Sequence, residues 1–558
     1  MKRLCLLVVA GMALAACSSV PTSGPIEQGP AVAVAGQDQF IRVIARPPAP
    51  GMSQEDLVRG FQEASASADG AYAVARQYLT GKAAALWDPG SGVAVYDNGG
   101  LTYAAKGSAV EVQGNLLGSI DATGQYTVAN PGTKLDDVYE VTKVDGEWRL
   151  SSVPTGLVLG PGDIDRGFRA FDLYYFTRDF GALVPAAITI PVSGAGMATQ
   201  LVRALLAGPT SWIAPSVRTG FPEGTRLALD SVPVVDGVAQ VALSSEVLEA
   251  DDATRKVLSA QLAWTLRQVP SIGSFRITVG GQPVAVPGQS AIQSVSSWNA
   301  YDPDQAGKGA IAVNDRGLVS VTADDKLQAL GQVKPPIVSP AIDFGATQIA
   351  GLSLDRRTLW TAKYGGAQRA VKRYSGAELS RPSWDSAGEI WVVDRGSGLE
   401  LIKSGVAGHI AVSGLPAGVR DADLLAVSIS RDGTRAGLLI RRGTRVEPMV
   451  ARVERSADAI GVSDPIRIES VLTDAIDLAW SDSGTLAVLG TTGAASLQVA
   501  YIAVGTARVS SVSVPDGAVS IATAPSMSTL IGAGGSLYRS VGNTWTSVGT
   551  AIDPAYPG

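Results

Sequence analysis

The spacing of hydrophobic residues along 53–160 is first helical and then alternating. Ser53 can cap a helix, because Asp56 follows three residues later and Leu57 and Phe61 recur at helical spacing. Helices followed by an antiparallel sheet indicate one α+β unit. The pattern predicts a second helix with Tyr72, Ala75, Tyr78 and Leu79 on one side, strands at 93–96, 109–112, 126–129 and 138–144, and a hairpin turn at Asp145-Gly146.

Residues 161–292 show the same two periods and predict a second α+β unit. A helix over 197–207 is expected to stop at Gly208-Pro209, and a later helix to start at Asp251-Asp252 and end by Pro270. Strands are predicted at 171–176, 225–235, 238–243 and 275–279, with a hairpin turn at Asp236-Gly237.

Residues 293–558 contain short β-rich runs separated by Asp, Gly and Ser, and no helical pattern. A loosely repeated turn places an aspartate about every 40 to 50 residues, which is the period of propeller blades. We therefore predict a β-propeller of six or seven blades, with two packed β-sandwiches as the alternative. The turn aspartates are Asp315, Asp355, Asp385, Asp432 and Asp482.

The first 17 residues have the pattern of an export signal. Lys2 and Arg3 precede an apolar run, Leu4 to Ala16, which is shorter than the roughly 20 residues that span a bilayer. The end of this run, Leu14-Ala15-Ala16-Cys17, resembles the bacterial lipobox. That resemblance implies cleavage between Ala16 and Cys17, a diacylglycerol on the Cys17 sulfur, and an acyl group on its amino terminus.

The domain organisation predicted from these patterns has five parts. For residues 1–17, the alternative is an ordinary signal peptide in which Cys17 has no special role. If lipidated, the chain is held on the extracytoplasmic face of the cell membrane. The parts are a signal peptide at 1–16, a lipidated cysteine and flexible tether at 17–52, α+β domains at 53–160 and 161–292, and a propeller at 293–558.

Charge and cysteine content exclude several classes of protein. The formal net charge of −6 argues against nucleic-acid binding, which needs a basic surface. Cys5 leaves with the signal peptide and Cys17 carries lipid, so a disulfide and a cysteine zinc site are both excluded. We expect no metal and no cofactor. The densest basic run is interpreted as the solvent-exposed face of a hairpin: Arg441, Arg442, Arg445, Arg452 and Arg455.

Catalytic chemistry finds little support in the sequence, and no catalytic residue is proposed. His409 is the one histidine, lies in a turn-rich segment and is expected at the surface. The pairs Asp136-Asp137 and Asp251-Asp252 are adjacent residues, which do not share a face of a strand or a helix. Tryptophans could stack on cell-wall sugars, although core packing is the favoured interpretation, for Trp212, Trp264, Trp360, Trp384 and Trp391.

Several stretches resemble the LpqB lipoprotein family of actinobacteria over nearly the whole chain. Segment 53–160 is similar to an NTF2-like cone, and 161–292 to the GerMN domain. The most specific stretches are Val58-Arg59-Gly60-Phe61, residues 73–80 (AVARQYLT), Trp87-Asp88-Pro89, residues 205–209 (LLAGP), residues 221–225 (FPEGT), and residues 261–266 (QLAWTL).

The resemblance implies a function that periodicity and spacing do not. Relatives are thought to contact the extracytoplasmic domain of the sensor histidine kinase MtrB, and so to modulate the response regulator MtrA in envelope homeostasis and division. The expected function is therefore a non-enzymatic accessory of a two-component system. A scaffold that binds a cell-wall polymer such as peptidoglycan is the alternative, and no nucleic-acid partner is expected.

The lipid anchor can be tested by Cys17→Ala. The variant should lose its acyl chains and leave the membrane fraction, because each buried CH₂ contributes about 0.8 kcal/mol and no other anchor is predicted. Membrane fractionation with intact-mass measurement checks this, with Ser18→Ala as the neighbouring control. A wild-type mature chain without fatty acid would contradict the prediction.

Overall fold

The structure is a computed structural model that describes residues 45–558, apart from 98, 193–195, 306–308, 366–367 and 457–458. Ala16 and Cys17, the predicted cleavage and lipid-attachment residues, lie outside the described residues. Among the helices that are described, the longest has 15 residues, and none combines the length and the apolarity needed to cross a membrane.

The first domain packs one helix against a curved, mainly antiparallel sheet. Helix α1 (Gln54–Ser65) begins as predicted, because the Ser53 hydroxyl accepts the Asp56 N–H at 3.0 Å, and its Leu57, Val58 and Phe61 are buried. The sheet order is β6-β5-β3-β1-β7, with β2 and β4 also paired to β3. The strands are β1 Gly92–Tyr96, β2 Thr102–Lys106, β3 Ala109–Asp121, β4 Tyr126–Val128, β5 Lys134–Val144, β6 Glu147–Ser152 and β7 Leu157–Leu159.

The second predicted helix of this domain is wrong. Ala71 and Tyr72 have φ of 57° and 62°, a left-handed conformation that a right-handed helix cannot contain. The chain instead turns, forms a 3₁₀ segment at Ala75–Tyr78, and then enters the short helix α2 (Gly81–Leu86). The hairpin prediction at Asp145-Gly146 is confirmed, since both residues have positive φ between β5 and β6.

The second domain contains two small sheets and three helices. Helix α4 covers the predicted residues 197–207, and the next helix is capped by the Asp251 carboxylate, which accepts the Thr254 N–H at 2.7 Å. The sheet orders are β10-β8-β9 and β11-β12-β13-β14, with β15 beside β13. The elements are α3 Pro161–Gly167, β8 Phe168–Thr177, β9 Leu183–Pro191, α4 Met197–Ala207, β10 Val217–Arg218, β11 Val234–Val235, β12 Val238–Leu243, α5 Asp252–Leu266, β13 Ser274–Val279, β14 Gln282–Pro283 and β15 Gln293–Ser294.

The strand predicted over 225–235 is largely wrong. Only its end, β11, pairs with β12, apart from an isolated bridge between Leu227 and Leu243. Side chains of helix α4 instead bind the backbone between Leu227 and β11. The Thr199 hydroxyl accepts the Val232 N–H, and Arg203 donates to the Asp230 carbonyl. Those bonds replace a continuous strand ladder.

Six four-stranded sheets form the propeller, and the fourth gains a short fifth strand. The first blade contains β16 Ile311–Asn314, β17 Gly317–Val321, β18 Leu327–Ala329 and β42 Ile552–Ala555, and the second contains β20 Val338–Ile342, β21 Gln348–Leu352, β22 Thr358–Lys363 and β24 Val371–Ser375. The third contains β25 Ser383–Trp384, β26 Ile390–Asp394, β27 Gly398–Lys403 and β28 Val406–Ile410, and the fourth contains β30 Leu424–Ile429, β31 Arg435–Arg442, β32 Arg445–Arg455 and β33 Ile460–Arg467, with the short β29 Val412–Ser413. The fifth contains β34 Leu472–Trp480, β35 Thr485–Thr492, β36 Leu497–Ala503 and β37 Val509–Ser513, and the sixth contains β38 Ala518–Ala522, β39 Leu530–Ala533, β40 Ser536–Val541 and β41 Thr544–Gly549. A separate pair joins β19 Val333–Lys334 to β23 Gln368–Arg369.

The repeated aspartates mark two different turns, which explains their uneven spacing. Asp385, Asp432 and Asp482 lie between the first and second strands of a blade, whereas Asp315 and Asp355 lie between the second and third. The equivalent residue in the second blade is Asp343. Each of the four first-turn aspartates accepts backbone N–H groups of its own turn, which is the local chemistry that the repeat reflects.

The second domain is fastened to the propeller by a buried arginine. The side chains of Arg435 and Asp432 are 4% and 1% exposed and form an ion pair at 3.1 Å. Arg435 also donates to the carbonyls of Ser483 and Pro185, the latter on β9 of the second domain. Beside it, Asp304 accepts the Ser483 N–H at 2.7 Å. These directional bonds set the orientation of the second domain on the propeller.

Replacing this arginine should loosen the joint. Arg435→Met leaves Asp432 buried without its partner, which we expect to cost about 3–5 kcal/mol in the free energy of unfolding. Calorimetry of thermal unfolding measures the loss. Arg441→Met is the matched control, because Arg441 lies on the same strand but is exposed, and it should change stability by less than about 0.5 kcal/mol. Equal losses in the two variants would contradict the role given to Arg435.

Candidate functional site

The tryptophans considered for sugar stacking pack inside the protein, as the favoured interpretation predicted. Trp264, Trp384 and Trp391 are 7%, 3% and 0% exposed. Trp212 is partly buried at the joint between the second domain and the propeller, and its indole N–H donates to the Asp464 carbonyl at 2.8 Å. Trp360 is also partly buried, against a cluster formed by residues of the first and second blades. These five rings form no exposed stacking surface.

The remaining residues singled out in the sequence have structural partners. His409 lies at the surface, with Nδ1 3.1 Å from Glu400 Oε1 and Nε2 3.6 Å from Asp421 Oδ2. Asp251 caps α5, and Asp252 pairs with Arg255 at 3.4 Å. Asp136 accepts from the Gln113 amide, and its neighbour Asp137 is partly buried on the other face of β5.

The predicted arginine face is only partly correct. Arg441 and Arg445 are exposed at the turn between β31 and β32, as expected for a solvent-exposed hairpin. Arg452 instead pairs with Glu454 and Asp464, and Arg455 pairs with Asp385 and Glu389. The periodic pattern could not show Asp464, Asp385 and Glu389 as partners, because they come from another strand or blade.

A channel runs between the innermost strands of the six blades. Its cavity has a volume of about 140 Å³ and is bordered by β20, β25, β30, β34, β38 and β42. The charged side chains lining it are four arginines and two aspartates, an excess of basic side chains in a chain with a formal net charge of −6. The charged set is Arg356, Arg381, Arg395, Arg431, Asp477 and Asp553.

The two ends of the channel differ. In a four-stranded antiparallel blade, the first and third turns lie on one face, and the second turn and the connection to the next blade lie on the other. The second domain lies on the first face, where the Pro185 carbonyl accepts from Arg435 and the Trp212 indole donates to the Asp464 carbonyl. Arg431, also in a first turn, donates to the carbonyls of Gln305 and Pro557 at this end.

The opposite end, which we call the open face, comprises the second turns and the blade-to-blade connections. Apolar side chains are exposed there: Leu354 is 71%, Val519 58%, Val471 50% and Ile476 40% exposed. Arg356 follows Leu354 in the same turn. Exposed aliphatic side chains beside arginine are typical of surfaces that bind other proteins.

Buried charges in the channel are held by paired groups. Asp477 Oδ2 lies 3.0 Å from the Arg381 guanidinium and also accepts the Ile521 N–H. Burial raises the pKa of Asp477, and Arg381 opposes that shift. Burial lowers the pKa of Arg431 at the covered end. The channel is therefore a partly desolvated, electropositive environment.

Carboxylates are also buried where the second domain meets the propeller. Burial raises the pKa of Asp172 to about 6; Arg435 opposes the shift and Asp482 adds to it. Burial and the Asp482 charge likewise raise the pKa of Asp304 to about 6, against the hydrogen bonds from Ser483. The joint is thus more stable with these two groups protonated.

Two wider clefts lie beside the domain joints. One, of about 730 Å³, is bordered by Arg178, Asp179 and Arg455, and the other, of about 1060 Å³, by Arg442 and Arg467 among others. The charged groups are paired internally: Arg455 with two acids, and Arg442 and Arg467 with one shared carboxylate, that of Glu447. The channel and its open mouth are therefore the stronger candidate site.

Sequence reasoning missed the channel arginines. Arg356, Arg381, Arg395 and Arg431 belong to turns and connections of three different blades, and only the closed ring brings them together. Arg356 and Arg431 do lie next to repeated turn aspartates, Asp355 and Asp432. Numbering each residue by its place in the blade would have grouped Arg356 with Arg395, since both lie in second turns.

Comparison with known proteins supports the three-domain organisation. Residues 47–165 match a model of the N-terminal domain of lipoprotein LpqB, residues 172–285 a sporulation and spore germination (Germane) model, and residues 310–557 the LpqB beta-propeller domain. The chain therefore consists of an N-terminal α+β domain, a GerMN-like domain and a propeller.

Curated relatives match along almost their full length. Lipoprotein LpqB of Thermobifida fusca is 29% identical, over 98% of this chain and 97% of the relative. The proteins of the same name from Streptomyces coelicolor and Mycobacterium tuberculosis are each 28% identical, over 88% of this chain and 86% and 87% of theirs.

Solved structures give weaker likenesses. TolB from Acinetobacter baumannii is 14% identical, with 52% of this chain and 85% of that chain covered and a TM-score of 0.35. The first GerMN domain of GerM from Bacillus subtilis is 24% identical, with 23% and 97% covered and a TM-score of 0.20.

The raised pKa of Asp172 predicts that the stability of the fold depends on pH. Because its pKa is raised from 3.8 to about 6, its stabilising contribution is present at low pH and is lost as pH rises through 6. At neutral pH, Asp172→Asn should raise the free energy of unfolding by on the order of 1–2 kcal/mol. The variant should also lose less stability than the wild type between about pH 5 and pH 7. Calorimetry at the two pH values checks this. The exposed Asp165→Asn is the control, and an unchanged profile for Asp172→Asn would contradict the prediction.

Proposed function

The chain belongs to the LpqB lipoprotein family, and on that premise we propose that it is a membrane-anchored, extracytoplasmic, non-enzymatic modulator of a two-component sensor kinase. The kinase is of the MtrB type and signals to MtrA in envelope homeostasis and division. The anchor is the lipid on Cys17, in keeping with the lipobox and with relatives that are named lipoproteins.

The observation that carries this proposal is the difference between the propeller faces. The second domain occupies one face through the bonds of Arg435, Ser483 and Asp304. The open face keeps Leu354, Val519 and other aliphatic side chains in solvent around an arginine-lined mouth. A rigid, lipid-tethered body with one free apolar and cationic face is suited to contact an extracytoplasmic receptor domain.

The acidic residues support a binding role more than a catalytic one. The aspartates noted in the sequence cap a helix, close turns or pair with arginines, as Asp251, Asp385 and Asp432 show. Each such carboxylate already has donors, so its chemistry is structural. The remaining aliphatic and arginine side chains of the open face are the kind that supply binding energy at protein interfaces.

A pair of equally exposed residues on opposite faces tests this surface. Leu354, 71% exposed, lies on the open face, and Val406, 72% exposed, follows a third turn on the other. Leu354→Asp should weaken binding of the purified extracytoplasmic kinase domain by about tenfold or more, since a central apolar contact is worth more than about 1 kcal/mol. Val406→Asp should change it less than about twofold.

Binding is measured with the full-length lipoprotein in nanodiscs, by interferometry against the immobilised kinase domain. Thermal unfolding of both variants controls for folding. Wild-type protein that fails to bind above an empty-nanodisc control, or two variants that weaken binding equally, would refute the proposal in this form.

A further inference from the structure

Arg356, at the open end of the propeller channel, has no acidic partner, whereas Arg431 at the covered end donates to the Pro557 and Gln305 carbonyls. Nη2 of Arg356 donates to the Ser339 hydroxyl at 2.9 Å, and no carboxylate of a described residue lies within ion-pair distance. Arg381 and Arg395, in contrast, pair with Asp477 and Glu378. The Arg356 guanidinium therefore keeps donors and a full positive charge for something else.

A short polar relay holds Arg356 in place at the channel. The Ser339 hydroxyl that accepts from Arg356 itself donates to Asp553 Oδ2 at 3.1 Å, and the Ser339 N–H donates to the same oxygen at 3.1 Å. Ser339 is 2% exposed and lies on the innermost strand β20, and Asp553 lies on β42. The arginine is thus pre-oriented by two neighbouring blades, which lowers the entropy that ligand binding must overcome.

The channel lining also holds more basic than acidic side chains. It contains four arginines and two aspartates, and Arg395 is paired with Glu378 outside the lining; low-dielectric walls in this narrow space strengthen the potential that an anion experiences. A second group without a partner lies in the same lining: the Ser520 hydroxyl on β38 is buried, and no described residue hydrogen-bonds to it.

We propose that the propeller channel is a binding site for a small oxyanion, a carboxylate or phosphate group that pairs with the free donors of Arg356. Planar guanidinium donors match the paired oxygens of either group. The cavity of about 140 Å³ has room for one such group.

This site is separate from the proposed contact with a kinase, although it opens beside it. An anion could be a free small molecule or the acidic end of a larger one, and the shared chemistry is the oxyanion. Inorganic phosphate and malonate, titrated separately into the full-length protein at matched ionic strength, distinguish a phosphate ligand from a carboxylate ligand. Isothermal titration calorimetry measures binding directly and requires no kinase, so failure of the kinase proposal leaves this one standing.

Three variants make the test specific. Arg356→Gln should weaken binding of the anion by at least about tenfold, because a charge-assisted pair is lost. Arg357→Gln removes the same charge from the next, exposed residue, which is outside the channel lining, and should change affinity by less than about twofold. Asp553→Asn removes negative charge from the relay while keeping an acceptor for Ser339, and should tighten binding by about threefold or more.

Binding of either anion with this order of affinities supports the site and identifies its chemistry. No heat of binding for phosphate or malonate at millimolar concentration would overturn the proposal, as would equal weakening by Arg356→Gln and Arg357→Gln. If Arg356→Gln unfolds, the opposite shift expected for Asp553→Asn still decides the question, since weaker or unchanged binding in that variant would also overturn the proposal.

Discussion

The propeller depends on one strand pairing at its end. Strand β42 pairs with β16, with Ile311 opposite Ala555 and Val313 opposite Ile552, so the last strand of the propeller becomes the innermost strand of its first blade. A single blade cannot bury both of its faces, and the closing strand completes the ring in which each blade covers the next. The channel exists because this closure sets six innermost strands around one axis.

Closure also determines which surfaces remain for the other domains. Once the ring is complete, all first turns lie on one face, and the second domain can contact several blades at once, as Arg435 and Ser483 on neighbouring blades show. The joint is made of directional polar bonds, and its buried Asp172 and Asp304 make it sensitive to protonation. Orientation is therefore specified by geometry and charge at least as much as by apolar area.

Local chemistry made much of the fold predictable. Helix α4 has the predicted bounds, Ser53 and Asp251 cap the predicted helices, and the Asp-Gly turns at 145 and 236 adopt positive φ. These features depend on residues close in sequence, so a pattern suffices to find them. The two incorrect predictions have another cause. Around Tyr72 the chain forms a left-handed turn and not a helix, and over 225–235 hydrogen bonds from α4 replace most of the strand pairing.

The site was beyond a sequence pattern for a related reason. The repeated aspartates revealed the blades, but mixing first-turn and second-turn residues such as Asp385 and Asp355 concealed which positions face the same end of the ring. The channel arginines come from one first turn, two second turns and one blade connection, so they are far apart in the chain and meet only after closure. Cys17 is the opposite case, a site that four consecutive residues indicate and that no contact elsewhere in the fold can test.

The acidic chain and its cationic channel are consistent with one design. A net charge of −6 disfavours nonspecific contact with anionic surfaces, while the excess of arginine in the channel lining would attract an oxyanion to one place. Because the relay from Arg356 through Ser339 to Asp553 links the second blade to β42, an anion bound there would contact a bond made by the strand that closes the ring. Occupancy of the channel and stability of the open face would then be thermodynamically coupled, since a ligand that binds only the closed ring stabilises it.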